Sequence, residues 1–218
     1  MNHSVKLFKG IFRPDEEFRD FQETNKMRGL IWRWIVISIL SGIVGTITIF
    51  ITLDQMIPVN EILLSNKAVY LLGMFYFFII FILWAVIPVI TNLIISLVCW
   101  PFFLDIGFKQ IFTINSYAAL INLIGGFLNL SIIANLHTYQ LLSPFGFGII
   151  GKQFTNNQYI IAAMNAVTIF VIWGLVVQIK ALFRASQKRK RYIIGVMIIV
   201  NIIYILLSFL AGAAMLAS

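Results

Sequence analysis

Charge is what this chain has least of. Only 11% of its 218 residues are Asp, Glu, Lys or Arg, where a soluble domain carries about 25%. Acids are the scarcer sign, eight against sixteen Lys and Arg. Three of them, Asp54, Glu61 and Asp105, fall at the edges of apolar runs, so no carboxylate pair lies inside one. Ion-coupled transporters and proton pumps place ionisable groups within the bilayer, and that arrangement is missing. Histidine occurs twice and cysteine once, which excludes a His/Cys metal cluster and an intramolecular disulfide. His137 stands alone among side chains that act with an imidazole, and a solitary histidine makes neither a catalytic dyad nor a metal site. There is no Gly-x-Ser-x-Gly, no His-Glu-x-x-His and no phosphate-binding loop. Enzymatic chemistry and a bound cofactor are therefore not expected.

What fills the space is apolar. Hydrophobic residues make up 61% of the chain and the mean hydropathy is +0.96, values that suit lipid as the solvent. Windows of about twenty apolar residues mark crossings, and these are predicted over 29–53, 68–100, 117–136, 159–180 and 192–216. The chain divides into a polar segment, 1–28, and a five-helix membrane domain, 29–218. The expected fold is all-α: a polytopic bundle of five transmembrane helices preceded by an interfacial amphipathic segment. The first apolar run begins late, is too long for a signal peptide and lacks a cleavage site, so it reads as an uncleaved anchor.

The run Ala68–Leu104 holds no charge and is long enough to be one crossing or two. A hairpin would turn near Pro88, where no glycine or charge is available for a turn. Lysine and arginine decide the matter, because they concentrate on the cytoplasmic side. With five crossings and a cytoplasmic N-terminus, fourteen cations lie inside and only Lys67 and Lys152 lie outside. With six crossings the split is eight and eight. Five crossings follow, with one long second helix kinked at Pro88. The net charge of +8 is then a matter of topology and anionic lipid, with no nucleic acid implied. The cluster Lys188–Arg189–Lys190–Arg191 belongs at the inner leaflet. The C-terminus falls outside a cell membrane.

The N-terminal segment alternates Val5, Phe8, Ile11 and Phe12 with Lys6, Lys9 and Arg13, a pattern suited to lying on anionic headgroups. Pro14 opens a short helix with Asp15, Glu16 and Glu17 in its first turn; Phe18 would face the membrane or the bundle. Ser38, Gly42 and Thr46, with Ser41 and Gly45 beside them, let a second helix approach closely.

Amides are the one polar type that recurs in the apolar runs. Asn115, Asn122 and Asn129 repeat every seven residues and so lie near one line on their helix. Asn92, Asn165 and Asn201 stand in other spans, the last on a face with Tyr204, Ser208 and Gly212. Two readings suit these amides: an interhelical seam bridged by hydrogen bonds, or a polar path for a solute.

Several short stretches together resemble the Yip domain family, Ypt/Rab-interacting membrane proteins of five helices with a bacterial branch. They are Leu7-Phe8-Lys9-Gly10-Ile11-Phe12-Arg13-Pro14 with Glu17-Phe18-Arg19, then Gly107-Phe108-Lys109-Gln110 leading to Tyr117-Ala118. Ser143-Pro144-Phe145, Trp173-Gly174 and the basic turn before the last helix complete the set. The chain has Ala119 where the family often has proline, and it lacks the Asp-Leu-Tyr-Gly-Pro signature of eukaryotic members. Rab-dependent traffic is accordingly not carried over. The resemblance implies a five-helix fold, a cytosolic N-terminus and a non-enzymatic role, in some bacterial relatives beside ABC-type export systems. The combined expectation is a membrane adaptor or accessory protein working with a membrane-protein partner or as a homo-oligomer. A small-solute or lipid transporter using the asparagine line is the alternative.

Overall fold

A computed structural model of the chain describes residues 2–4, 11, 18, 26–56, 67–136 and 142–217. Seven α-helices lie among them: α1 (Leu30–Met56), α2 (Lys67–Cys99), α3 (Phe108–Leu136), α4 (Gly148–Phe154), α5 (Gln158–Ala166), α6 (Ile169–Ala185) and α7 (Lys190–Ala217). A single 3-10 turn, Trp100–Phe102, follows α2. Two three-residue strands, β1 (Asn2–Ser4) and β2 (Lys26–Arg28), pair in parallel ahead of the bundle.

Three helices are long and apolar enough to cross a bilayer among the described residues: Leu30–Ile51, Leu71–Phe102 and Phe108–Ile132. Helical backbone satisfies its own polar groups, which is what a segment in hydrocarbon requires. Pro88 does not interrupt α2, which is one helix from end to end; proline there cannot donate to the carbonyl four residues back. The three spans differ in burial. Of its most apolar window, α3 buries 61%, α1 33% and α2 only 6%. The bundle is therefore built around α3, with α2 on its flank.

Close approach depends on glycine. A Cβ on Gly45 would stand 2.3 Å from the ring of Trp84, and one on Gly42 would stand 2.8 Å from that of Phe81. The small-residue stripe of α1 is thus the seat for two aromatic rings of α2. On the other side of the bundle, Gly125 seats Phe170, and a Cβ on Gly174 would lie 3.2 Å from that of Ala118. The stretches Tyr117-Ala118 and Trp173-Gly174 meet there, holding α3 against α6.

The apolar core gathers at the end of the bundle that bears Lys109, Arg184 and the cluster Lys188–Arg191, here termed the basic end. Ile111, Ile114, Tyr117, Ile121, Leu182, Ile193 and Met197 are all buried. Gly107 and Gln110 start α3 reciprocally: the backbone N–H of Gly107 donates to Oε1 of Gln110 at 2.9 Å, a capping bond. The neighbouring turn is tied to it, since the Gln187 N–H donates to Asp105 Oδ2 at 2.7 Å.

Three expectations change. First, the span predicted over 159–180 is two helices, α5 and α6, with Val167 and Thr168 extended between them. The helix after the interruption is capped, Oγ1 of Thr168 accepting from the Val171 N–H at 3.2 Å, and Asn157 caps the start of α5. Its free backbone groups bond to a distant loop, Phe147 N–H to the Val167 carbonyl (3.1 Å) and Ile169 N–H to the Phe145 carbonyl (3.2 Å). Second, the third helix begins at Phe108, because the residues ahead of Tyr117 are already wound and capped. Third, Ile11, expected on the headgroups, is buried with the core; Phe18, open to membrane or bundle, takes the bundle, its ring edge-on to that of Tyr117 at 4.9 Å. An edge-to-face pair of rings adds to what burial alone contributes. Val5, Phe8, Phe12 and Pro14 lie outside the described residues, as does His137.

Candidate functional site

Between α1, α2, α3, α6 and α7 lies a cavity of about 390 Å³, within the range of ligand pockets, about 300–1,000 Å³. Asn92, Asn115, Asn122, Asn129 and Asn201 all line it, and so does Pro88. Trp84, Ile87, Ile95, Leu123 and Leu175 supply apolar wall. No charged side chain is among the described lining residues. The helical repeat explains the clustering: three amides seven residues apart drift little around α3, and α1, α2 and α6 all pack against α3.

Towards the basic end the amides are committed to one another. Asn115 is 3% exposed; its Nδ2 donates to Ser96 Oγ of α2 at 2.9 Å, and its Oδ1 accepts from Gln178 Nε2 of α6 at 2.9 Å. One side chain joins three helices. Ser96 in turn donates to the Asn92 carbonyl at 2.6 Å, and Asn92 Nδ2 donates to the Phe112 carbonyl at 3.3 Å. A second strand of the network runs from Trp34 Nε1 to Ser116 Oγ (2.9 Å) and from Ser116 to the Phe112 carbonyl (2.7 Å). Buried polar groups in an apolar medium cost least when each has a partner.

Further along α3 the same residue type behaves differently. Asn122 is exposed to the cavity and makes no hydrogen bond among the described residues. Asn129 keeps Oδ1 buried without a donor among the described residues. Two heptads along α3, about 21 Å at 1.5 Å per residue, thus pass from saturated amides to unsaturated ones. Asn201 donates to the Met197 carbonyl of its own helix at 2.9 Å.

Asn165 does not join this group. Its Oδ1 accepts from the Ser143 N–H at 2.9 Å, and a Cβ on Gly146 would stand 2.7 Å from that same oxygen. Asn165 therefore ties the Ser143-Pro144-Phe145 loop to the interruption between α5 and α6, with Phe145 against Phe170 at 5.2 Å. Lys188, Arg189, Lys190 and Arg191 are exposed at the basic end, well apart from the cavity; Lys188 stands 6.0 Å over the Tyr192 ring.

Trp34, Ser96, Ser116 and Gln178 belong to the polar interior without having been singled out as site residues. Two of the four carry a spacing signal. Ser96 follows Asn92 by four residues, and Gln178 follows Gly174 by four, so each lies one turn along a face already marked for packing.

A family model, that of the Yip1 domain, matches residues 9–211 of the chain. Comparisons with curated proteins and with solved structures gave no match.

Proposed function

On the premise that the chain belongs to the Yip1 domain family, we propose that it is a non-enzymatic membrane adaptor or accessory protein of a bacterial cell membrane. One observation carries this reading. Few residues of α2 are fully buried in the bundle, 6% of its most apolar window, and Phe75, Tyr76, Phe77 and Phe78 project from its far half, each more than half exposed. Aromatic side chains are enriched where proteins meet, and a helix held along one edge offers the rest to a partner. The partner class is another integral membrane protein, an ABC-type exporter being the example that the resemblance brings. Mild-detergent purification from native membranes, with mass spectrometry, is expected to return a stoichiometric membrane protein, and Phe75→Ala/Phe78→Ala is expected to lose it. A clean homo-oligomer, or the chain alone, overturns the reading.

In this proposal α5 and α6 together make the fourth crossing and α7 the fifth. The N-terminus and the basic end are cytoplasmic, the C-terminus is outside, and Lys188–Arg191 rest on anionic lipid. Single cysteines at Gln187 and Phe154, both exposed, test the orientation, since Cys99 is buried. Reagent that cannot cross the membrane is expected to reach position 154 and not 187 in intact cells. A second reading, passage of a small solute or lipid, draws on the amide-lined cavity. Flux through proteoliposomes of the purified chain, above that of protein-free vesicles, would put it first.

A further inference from the structure

The accessory reading leaves the cavity without a task, and its chemistry is selective. We propose that it is a binding site for an uncharged amphiphile: a lipid whose head offers hydroxyl or ester groups and whose body is apolar, such as a monoacylglycerol. This goes beyond the accessory reading and does not require passage across the membrane.

Three observations carry the assignment. The described lining has amides and aromatics and no charged side chain, so an ionised head would lie unpaired in an apolar surrounding, at high cost. The polar groups also divide by function. Asn92, Asn115 and Gln178 bond to the protein itself, whereas Asn122 and Asn129 do not among the described residues, and Oδ1 of Asn129 is buried without a donor. An amide presents both an acceptor and two donors. The open pair therefore matches a head that gives one O–H and accepts one N–H, with its two polar points about 10 Å apart at most, seven residues along a helix. Finally, most of the remaining wall is apolar, with Trp84, Ile87, Leu123 and Leu175 among it. It offers a chain a large apolar surface, with the hydroxyls of Ser41, Thr48, Thr91 and Tyr204 scattered along it.

The test is photolabelling of the full-length purified chain in nanodiscs with a diazirine-bearing short-chain monoacylglycerol. Labelling is expected on peptides of α2 and α3, displaced by unlabelled monoacylglycerol and not by glycerol. A matching probe with a carboxylate head is expected to label at least tenfold less. Asn122→Leu/Asn129→Leu is expected to reduce labelling five- to tenfold, the worth of one or two hydrogen bonds, with the thermal midpoint unchanged because neither amide bonds within the fold. Ala119→Phe fills the cavity while keeping both amides and is expected to lower labelling as much, which keeps the test valid if the double variant folds poorly. Three results would overturn the proposal: no labelling of the wild-type chain, which leaves the cavity to water; equal labelling by the charged probe; or displacement by glycerol. Labelling that survives both variants sinks it as well.

Discussion

The second and third helices invert what a water-soluble protein does with its most apolar segment. α2, with a mean hydropathy of 2.7 over its span, buries 6% of its most apolar window; α3, at 1.6, buries 61%. Lipid is as apolar as leucine, so burying leucine between helices releases nothing. What drives helices together is close packing and hydrogen bonds between polar groups. α3 has both, with Asn115 and Ser116 beside Ala118 and Gly125. α2 brings Asn92 and Ser96 to that network, but most of its exposed length is Phe, Ile and Leu, which lipid solvates equally well. In this chain the least hydrophobic of the three spans is the organising one.

Substitutions divide along the same line. Phe18→Ala strips a fully buried ring from Tyr117 of α3, and a loss of about 3–5 kcal/mol is expected; protease cleavage ahead of α1, in detergent, should rise steeply while the bundle stays intact. Gly174→Leu inserts a side chain where a Cβ already lies 3.2 Å from Ala118, with an expected cost of about 1–3 kcal/mol in a denaturing-detergent titration. Asn115→Leu removes both bonds that link α2, α3 and α6. Intramembrane hydrogen bonds average about 0.6 kcal/mol each, so about 1–2 kcal/mol is expected once the stranded Ser96 and Gln178 are included. A double-mutant cycle with Gln178→Leu should recover part of that. At the bottom of the scale, Leu83→Ala on the exposed side of α2 should move the thermal midpoint by the equivalent of less than about 0.5 kcal/mol. A large effect there would break the comparison and mean that α2 is packed in the solution particle.

How much of this was legible in the sequence depends on which side of the comparison one reads. Hydropathy and the bias of Lys and Arg mark the apolar runs, since both follow from one-dimensional composition. The heptad of asparagines identifies the wall of the cavity, because a repeat of seven is geometry written into the chain. What the repeat cannot carry is the difference between Asn115 and Asn122. That difference arises from Ser96 and Gln178, which reach one amide and stop short of the next. The interruption at Val167 is equally invisible to hydropathy, because Val167 is as apolar as its neighbours. Only the cap residue Thr168 hints at it, and it reads as an ordinary polar residue in a span. Phe18 was open to either membrane or bundle, and an aromatic partner far along the chain decided it.

Asn115 also sets a schedule. Its partner Ser96 is 19 residues behind it and its partner Gln178 is 63 ahead. At about 5–20 residues per second of synthesis, α3 waits some 3–13 seconds for the amide that completes it. During synthesis Asn115 can therefore meet Ser96 of α2 well before its second partner, on α6, exists.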